Sequence, residues 1–235
     1  MMATILIKVQ NKFFTYLTII KKLLVPIIVP KKFRFKRFIN GIESYSQSSQ
    51  DIFVRSILQN KKGGIYVEIG AFDEIEDSNT FILENKLNWR GVSFEIVEDA
   101  CQDFNKIRKN PCICGDATTM DYNGIFLNMN LPKQIDYLQL DIEPAEQTLK
   151  ALLALPLNEY RFSVITYEHD RYKSGDDCMR QSREILENLG YKLVVQNVRV
   201  NGLDFEDWYV DPLVIKPEAY SKYLLKDIEH IDIFK

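Results

Sequence analysis

The run Gly64-Ile65-Tyr66-Val67-Glu68-Ile69-Gly70-Ala71-Phe72-Asp73 constrains the fold more than any other stretch of this chain. An apolar, β-rich segment ends at Glu68-Ile69-Gly70, and Ser78-Asn79-Thr80 follows eight residues after the glycine. A strand that stops at a glycine lets backbone approach a ligand at the carboxyl edge of a parallel sheet, where open α/β folds bind their cofactors. The loop is no phosphate cradle: Gly70 leads into Ala71, Phe72, Asp73 and Glu74, with neither Gly-x-Gly-x-x-Gly nor Gly-Lys-Ser/Thr.

From Tyr45 onward short β-rich runs alternate with helical patterns. Strands are expected at Ile65–Ile69, Gly91–Glu95, Cys112–Cys114, Ile135–Leu140, Phe162–Tyr167, Tyr191–Gln196 and Pro212–Ile215. Helices are expected at Ser49–Leu58, Thr80–Leu87, Glu98–Arg108, Pro144–Leu155 and Asp176–Leu189, the last closed by Gly190. Such alternation implies an α/β fold with a mainly parallel sheet covered by helices on both faces.

The strand ends carry acids: Glu68, Glu95, Asp116 and Asp141. S-adenosylmethionine suits that pattern, because its ammonium, sulfonium, ribose diol and adenine amine all seek acceptors and it has no phosphate. A carboxylate about one βα unit beyond the glycine loop is placed to take both ribose hydroxyls, and Glu95 is the candidate. A nicotinamide oxidoreductase would need the phosphate cradle that is missing.

The segments Ser46-Gln47-Ser48-Ser49-Gln50-Asp51, Glu68-Ile69-Gly70-Ala71-Phe72-Asp73 with Ser78-Asn79-Thr80, Trp89-Arg90-Gly91-Val92-Ser93-Phe94-Glu95, Leu140-Asp141-Ile142-Glu143 and Glu206-Asp207-Trp208 together resemble the FkbM-like methyltransferases. The resemblance spans Tyr45 to Lys216 and rests on the order of the motifs rather than on any one. It implies a class I methyltransferase Rossmann-like fold, a seven-stranded sheet with its last strand antiparallel, and O-methylation of a sugar, glycan or other hydroxylated acceptor. By the same resemblance Gln50, Asp51, Glu68, Gly70, Asp73 and Asn79 would surround the methionine end of the cofactor, Glu95 the ribose, Asp116 with Ala117 the adenine, and Asp141 the floor beside the sulfonium. Two positions depart from the family pattern. Glu74 adds a carboxylate to the first loop, and Pro144 stands where a glycine commonly follows Asp-x-Glu. A degenerate fold that serves as a binding or membrane-docking module is therefore the alternative function.

Methyl transfer to oxygen needs an aligned acceptor and a proton acceptor. Thr166-Tyr167-Glu168-His169-Asp170-Arg171-Tyr172 directly follows an apolar strand, so His169 is the candidate base, oriented or charged by Glu168 or Asp170, with Asp141 beside it. Asp141, Glu143, Glu168, His169 and Asp170 also offer ligands for Mg²⁺ or Mn²⁺, and ordinary hydrogen bonding to substrate would use the same groups. Asp204 to Asp211 mixes acids with Phe205, Trp208 and Tyr209; such a run can stack a sugar ring or plug the core.

With 46% hydrophobic and 27% charged residues, 235 residues suffice for one core with an appendage. The net charge of −3 hides an asymmetry, because residues 1–42 hold nine Lys or Arg and no acid. Residues 1–44 are read as a basic, apolar leader and 45–235 as the methyltransferase domain. Lys21, Lys22, Pro26 and Pro30 interrupt the leader before it could span a bilayer, which leaves peripheral membrane contact or packing against protein. An acidic catalytic portion disfavours nucleic acid. Cys101, Cys112, Cys114 and Cys178 form no CxxC pair, which argues against zinc; with no export signal, a reducing cytoplasm is the simplest compartment.

Overall fold

The computed structural model describes residues 35–235. Most of the expected leader, and with it the expected membrane contact through residues 1–42, lies outside them. Among the described residues no helix is long and apolar enough to cross a membrane. The first elements are β1 (Arg37–Ile39) and β2 (Ile42–Ser44), an antiparallel hairpin turned at Asn40-Gly41, both in the left-handed region.

The elements that follow are α1 (Gln50–Ile57), β3 (Ile65–Ile69), α2 (Phe81–Leu87), β4 (Arg90–Glu95), α3 (Glu98–Ile107), β5 (Cys112–Cys114), α4 (Tyr122–Asn128), β6 (Gln134–Leu140) and α5 (Ala145–Ala154). Then come β7 (Arg161–Glu168), α6 (Arg171–Ser174), α7 (Asp176–Asn188), β8 (Lys192–Val200), β9 (Leu203–Val210), α8 (Pro217–Tyr220) and β10 (Leu225–Glu229).

One eight-stranded sheet runs in the order β10-β8-β9-β7-β6-β3-β4-β5. Only β9 is antiparallel to its neighbours β7 and β8. Every residue of β3 is buried, as is β6 from Ile135 to Leu140, which fits strands covered on both faces. Val67, Ile69, Leu138, Leu140 and Ile165 pack with Phe94, Tyr122 and Phe126 in the main core.

Two expectations are corrected here. Pro212–Ile215 is a turn held by Asp211, whose Oδ1 accepts the Leu213 N–H at 3.0 Å, and the antiparallel strand is Leu203–Val210. Its direction is set by Asn201-Gly202, both at positive φ, a two-residue turn that matches strand twist. The sheet also has an eighth strand, because β10 adds in parallel to β8.

Candidate functional site

Strand addition reverses beside β3: β4 and β5 extend the sheet one way, and β6 and β7 then fill the other side. The loops after β3 and β6 diverge at that point and open a crevice at the carboxyl edge. A cavity of about 570 Å³ lies there, lined by Gly70–Asp73, Ser78 and Asn79 from the first loop and Asp141–Glu143 from the second. A second space of about 280 Å³ reaches Gly115, Asp116, Ala117 and Gln147. Glu95 and Ile96 line both, so the two spaces form adjoining lobes.

Gly70 allows the loops to meet. Its φ is +88°, its N–H donates to the Phe94 carbonyl at 2.9 Å, and a Cβ there would overlap the Asp141 carbonyl oxygen. Below it Glu68, 2% exposed, accepts through Oε2 from Ser93 Oγ at 2.7 Å and Thr80 Oγ1 at 2.9 Å. Burial raises its carboxyl above the ordinary value, and the nearby Arg108 charge opposes that rise.

Arg108 is the structural hub that the sequence reading missed. Its guanidinium, almost wholly enclosed, donates to Glu84 Oε2 at 3.1 Å, Thr80 Oγ1 at 2.9 Å, Ser78 Oγ at 3.2 Å, Tyr66 Oη at 3.3 Å and the Glu74 carbonyl at 3.1 Å. It also lies over the Phe104 ring at 4.6 Å. Thr80 thus joins the guanidinium to Glu68 and the cavity floor. The signal was Glu68 itself, an acid ending an apolar strand, which demands a buried partner.

Glu95 sits between the lobes. Its Oε2 accepts the Phe72 N–H, and its Oε1 those of Ile96 and Val97, each at 2.9 Å. The first bond holds Phe72 at φ +40°, an uncommon backbone for an aromatic, with the ring 70% exposed at the cavity rim. Asp73 Oδ1 accepts the N–H groups of Ile75 and Glu76 at 2.8 and 2.7 Å and so shapes the same loop. Asn79 is 5% exposed, and its Oδ1 has no donor among the described residues. In the smaller lobe Asp116 Oδ1 accepts from the Thr118 N–H and Oγ1, and these bonds hold its carboxyl below the ordinary value.

The crevice therefore gathers Glu68, Gly70, Asp73, Asn79, Glu95, Asp116, Ala117 and Asp141. Gln50 and Asp51 line neither lobe. The Asp51 carboxylate accepts from Ser44 Oγ, Ser46 Oγ and the Tyr45 N–H at 2.6 to 2.9 Å, and Gln50 Oε1 takes the Ser48 N–H. Gln47, from the same motif, lines the larger lobe instead. Glu74 is buried but stands outside the lining.

Beside the crevice Asp141, Glu143, Glu168, Asp170 and Glu206 cluster at the ends of β6, β7 and the start of β9. Burial, with the Asp170 and Glu143 charges, pushes Asp141 up to about 6, although the facing Glu168 carboxyl works against the rise. Glu168 is raised well above the ordinary range by burial and by the facing Asp141. Burial pushes Glu206 up to about 8 despite the hydroxyl of Ser48, which donates to its Oε1.

His169 is turned away from this cluster. It is fully buried, its Nδ1 accepts the Arg171 N–H at 3.2 Å, and its Nε2 faces Asp207 Oδ1 at 3.6 Å. Successive strand residues point to opposite faces, so Glu168 toward Asp141 and Glu206 sends His169 behind the sheet. Asp207 in turn accepts from Arg183 Nε and Nη2 at 2.6 and 2.9 Å. Burial pushes its carboxyl up, but His169 and Arg183 outweigh burial and leave it below the ordinary value. A depressed carboxyl stabilises the fold above its unfolded value of about 4, and that contribution is lost as pH falls through the folded value. Asp207→Asn should cost about 2 kcal/mol at pH 7. In urea melts across pH, the gap to the wild type should close below about pH 4.

Trp208 and Tyr209 are also enclosed. Trp208 stacks on Phe53 at 4.6 Å between centroids, and Tyr209 Oη donates to Asp207 Oδ2 at 3.3 Å. Neither presents a ring to a sugar.

A parallel sheet with this strand order and one reversed strand, β9, between β7 and β8 is the class I methyltransferase Rossmann-like fold. No protein-family model matches the chain, and no curated protein matches it. Solved structures with a similar course include a SAM-dependent methyltransferase from Aquifex aeolicus, 15% identical over 71% of this chain and 94% of that one, with a TM-score of 0.46. An O-methyltransferase from Bacillus cereus, solved with SAH, is 15% identical over 83% of this chain and 90% of its own, with a TM-score of 0.46. Fibrillarin from Aeropyrum pernix, with bound S-adenosyl-L-methionine, is 17% identical over 74% and 81% respectively, with a TM-score of 0.45.

Proposed function

We propose that the chain is an S-adenosylmethionine-dependent O-methyltransferase of the FkbM-like kind, acting on a hydroxyl of a sugar, glycan or similarly hydroxylated molecule. One observation carries the reading: seven of the fifteen residues lining the larger lobe are acidic and none is Lys or Arg. A phosphate-bearing cofactor or a nucleic acid would meet repulsion there, whereas a ligand rich in donors and cationic at its centre finds acceptors.

The residues fit that cofactor in kind. The unpaired Asn79 Oδ1 suits an ammonium, Gly70 leaves room for close backbone approach, and Glu95 stands where a ribose would join the two lobes. Asp116 and Ala117 would then meet the adenine. When bound, the cofactor supplies an electrophilic methyl group. The chain's own part is to orient the acceptor oxygen against it, exclude water and take the hydroxyl proton. Asp141, which lines the cavity, is the residue assigned to receive that proton; His169 is enclosed on the other face.

S-adenosylhomocysteine should bind the purified chain in a calorimetric titration, and Glu95→Gln should weaken it about tenfold, or about 1.4 kcal/mol. An unaltered affinity in that variant would remove Glu95 from the site. A folded wild type that does not bind at all would favour the non-catalytic module.

A further inference from the structure

We infer that Glu143, Glu168 and Asp170 form a divalent-cation site at the edge of the crevice, and that the Lys173 ammonium stands in for the ion when none is bound. The three side chains come from the loop after β6, the last residue of β7 and the start of α6. They bring one carboxylate oxygen each to within 4.8 Å of one another.

The convergence is matched by unmet bonding. Asp170 is 3% exposed, and its Oδ1 has no donor among the described residues. An acceptor enclosed without a donor is costly, which makes it an anchor for a positive ligand. The charges around it point the same way. Asp141 faces Glu168, Glu206 lies opposite Glu168 in the β7–β9 register, and Glu143 completes five carboxylates. Against these stands Lys173, whose Nζ contacts Glu143 Oε1 at 2.6 Å and Asp170 Oδ2 at 2.9 Å. That ammonium reaches Glu143 and Asp170, two of the three converging carboxyl groups. A dication compensates more of that charge than an ammonium can.

Ligand type and spacing narrow the choice. All the ligands are oxygens, which suits hard cations of the Mg²⁺, Mn²⁺ and Ca²⁺ group. Three oxygens spread evenly around one ion stand about 3.6 Å apart for Mg²⁺ and about 4.2 Å apart for Ca²⁺, so from the observed limit of 4.8 Å the carboxylates draw in as an ion binds, least for the larger cation. His169, offered by the sequence as a fifth ligand, does not take part, since its nitrogens face the Arg171 N–H and Asp207. Lys173 and Glu143 are both substantially exposed on their outer side, so the ammonium can swing out as an ion enters. Glu143 also lines the cavity, which puts the ion within reach of an acceptor diol. That role rests on the methyltransferase reading, whereas binding of the ion does not.

The test is a calorimetric titration of the full chain with Mn²⁺ alone, without cofactor or acceptor. The wild type should take up one ion. Lys173→Met should tighten binding about tenfold, and Glu168→Gln and Asp170→Asn should each weaken it at least tenfold while keeping the wild-type melting profile. Absence of saturable uptake by both the wild type and Lys173→Met would overturn the site, as would wild-type affinity in the two carboxylate variants. S-adenosylhomocysteine titrated into the same samples separates the two readings. Mn²⁺ uptake without it upholds the ion site and removes the cofactor assignment; the reverse removes the ion site alone.

Discussion

Gly70→Ala should abolish S-adenosylhomocysteine binding and strip the fold of about 4 kcal/mol, a large part of the 5–15 kcal/mol that holds a typical domain together. Two effects add. The backbone at φ +88° disfavours any side chain, at about 1–2 kcal/mol. A methyl group there would overlap the Asp141 carbonyl and reach within 2.8 Å of Ile142 Cγ2, so the β3 and β6 loops would have to part. The Ile142 side chain could step aside, but the Asp141 carbonyl is backbone at the end of β6 and could not. Urea unfolding reads the stability loss and calorimetry the affinity. A variant that binds as tightly as the wild type would show that the crevice between these loops is not where the ligand lies.

Arg108→Met should cost about 3–5 kcal/mol, because it leaves Glu84 enclosed without its cation and removes the donor shared with Thr80. Methionine fills much of the same volume against Phe104, which keeps cavity formation a minor part of the loss. Arg108→Lys should recover little. One ammonium cannot reproduce a planar fork that reaches Glu84, Thr80, Ser78, Tyr66 and the Glu74 carbonyl together. Since Thr80 also donates to Glu68, ligand affinity should fall alongside stability, and thermal melts with and without S-adenosylhomocysteine would register both. A loss below about 1 kcal/mol for the methionine variant would mean that water reaches Glu84 as readily as it reaches surface acids.

The side of the crevice lined by the β3, β4 and β6 loops was legible because its logic is local. Apolar runs ending in Glu68, Glu95 and Asp141 place acids at strand ends, and Gly70 announces a close approach. The side formed by β7 and β9 was less legible. Glu168 and His169 are neighbours in the sequence, yet the two-residue period of a strand sends them to opposite faces, and only one can meet Asp141. That arithmetic was available, but which face carried the site depended on Glu206 coming alongside from β9. The antiparallel strand was missed although Asn201-Gly202 is a strong hairpin signal, because Asp204, Glu206 and Asp207 made the run look like a polar site. In fact Asp204 pairs with Arg171 and Arg199, and Asp207 with Arg183. Strand β10 gives no apolar run, as its Lys226 and Asp227 are exposed at the sheet edge, where pattern is weak. Arg108 was hidden for another reason: its partners lie 24 to 42 residues away, beyond any local pattern.

The reversal of β9 divides the crevice into two parts that can change separately. The strands β3 to β7 all end at the crevice edge, and the loop after each leads into a helix. β9 instead begins at that edge, and what precedes it is the two-residue turn at Asn201-Gly202. Lengthening that turn would add chain over the carboxylates of Glu168 and Glu206 without disturbing the loops after β3, β4 and β5. A family built on this plan could alter one side of the crevice by editing one hairpin while the half lined by the β3 and β4 loops stayed as it was.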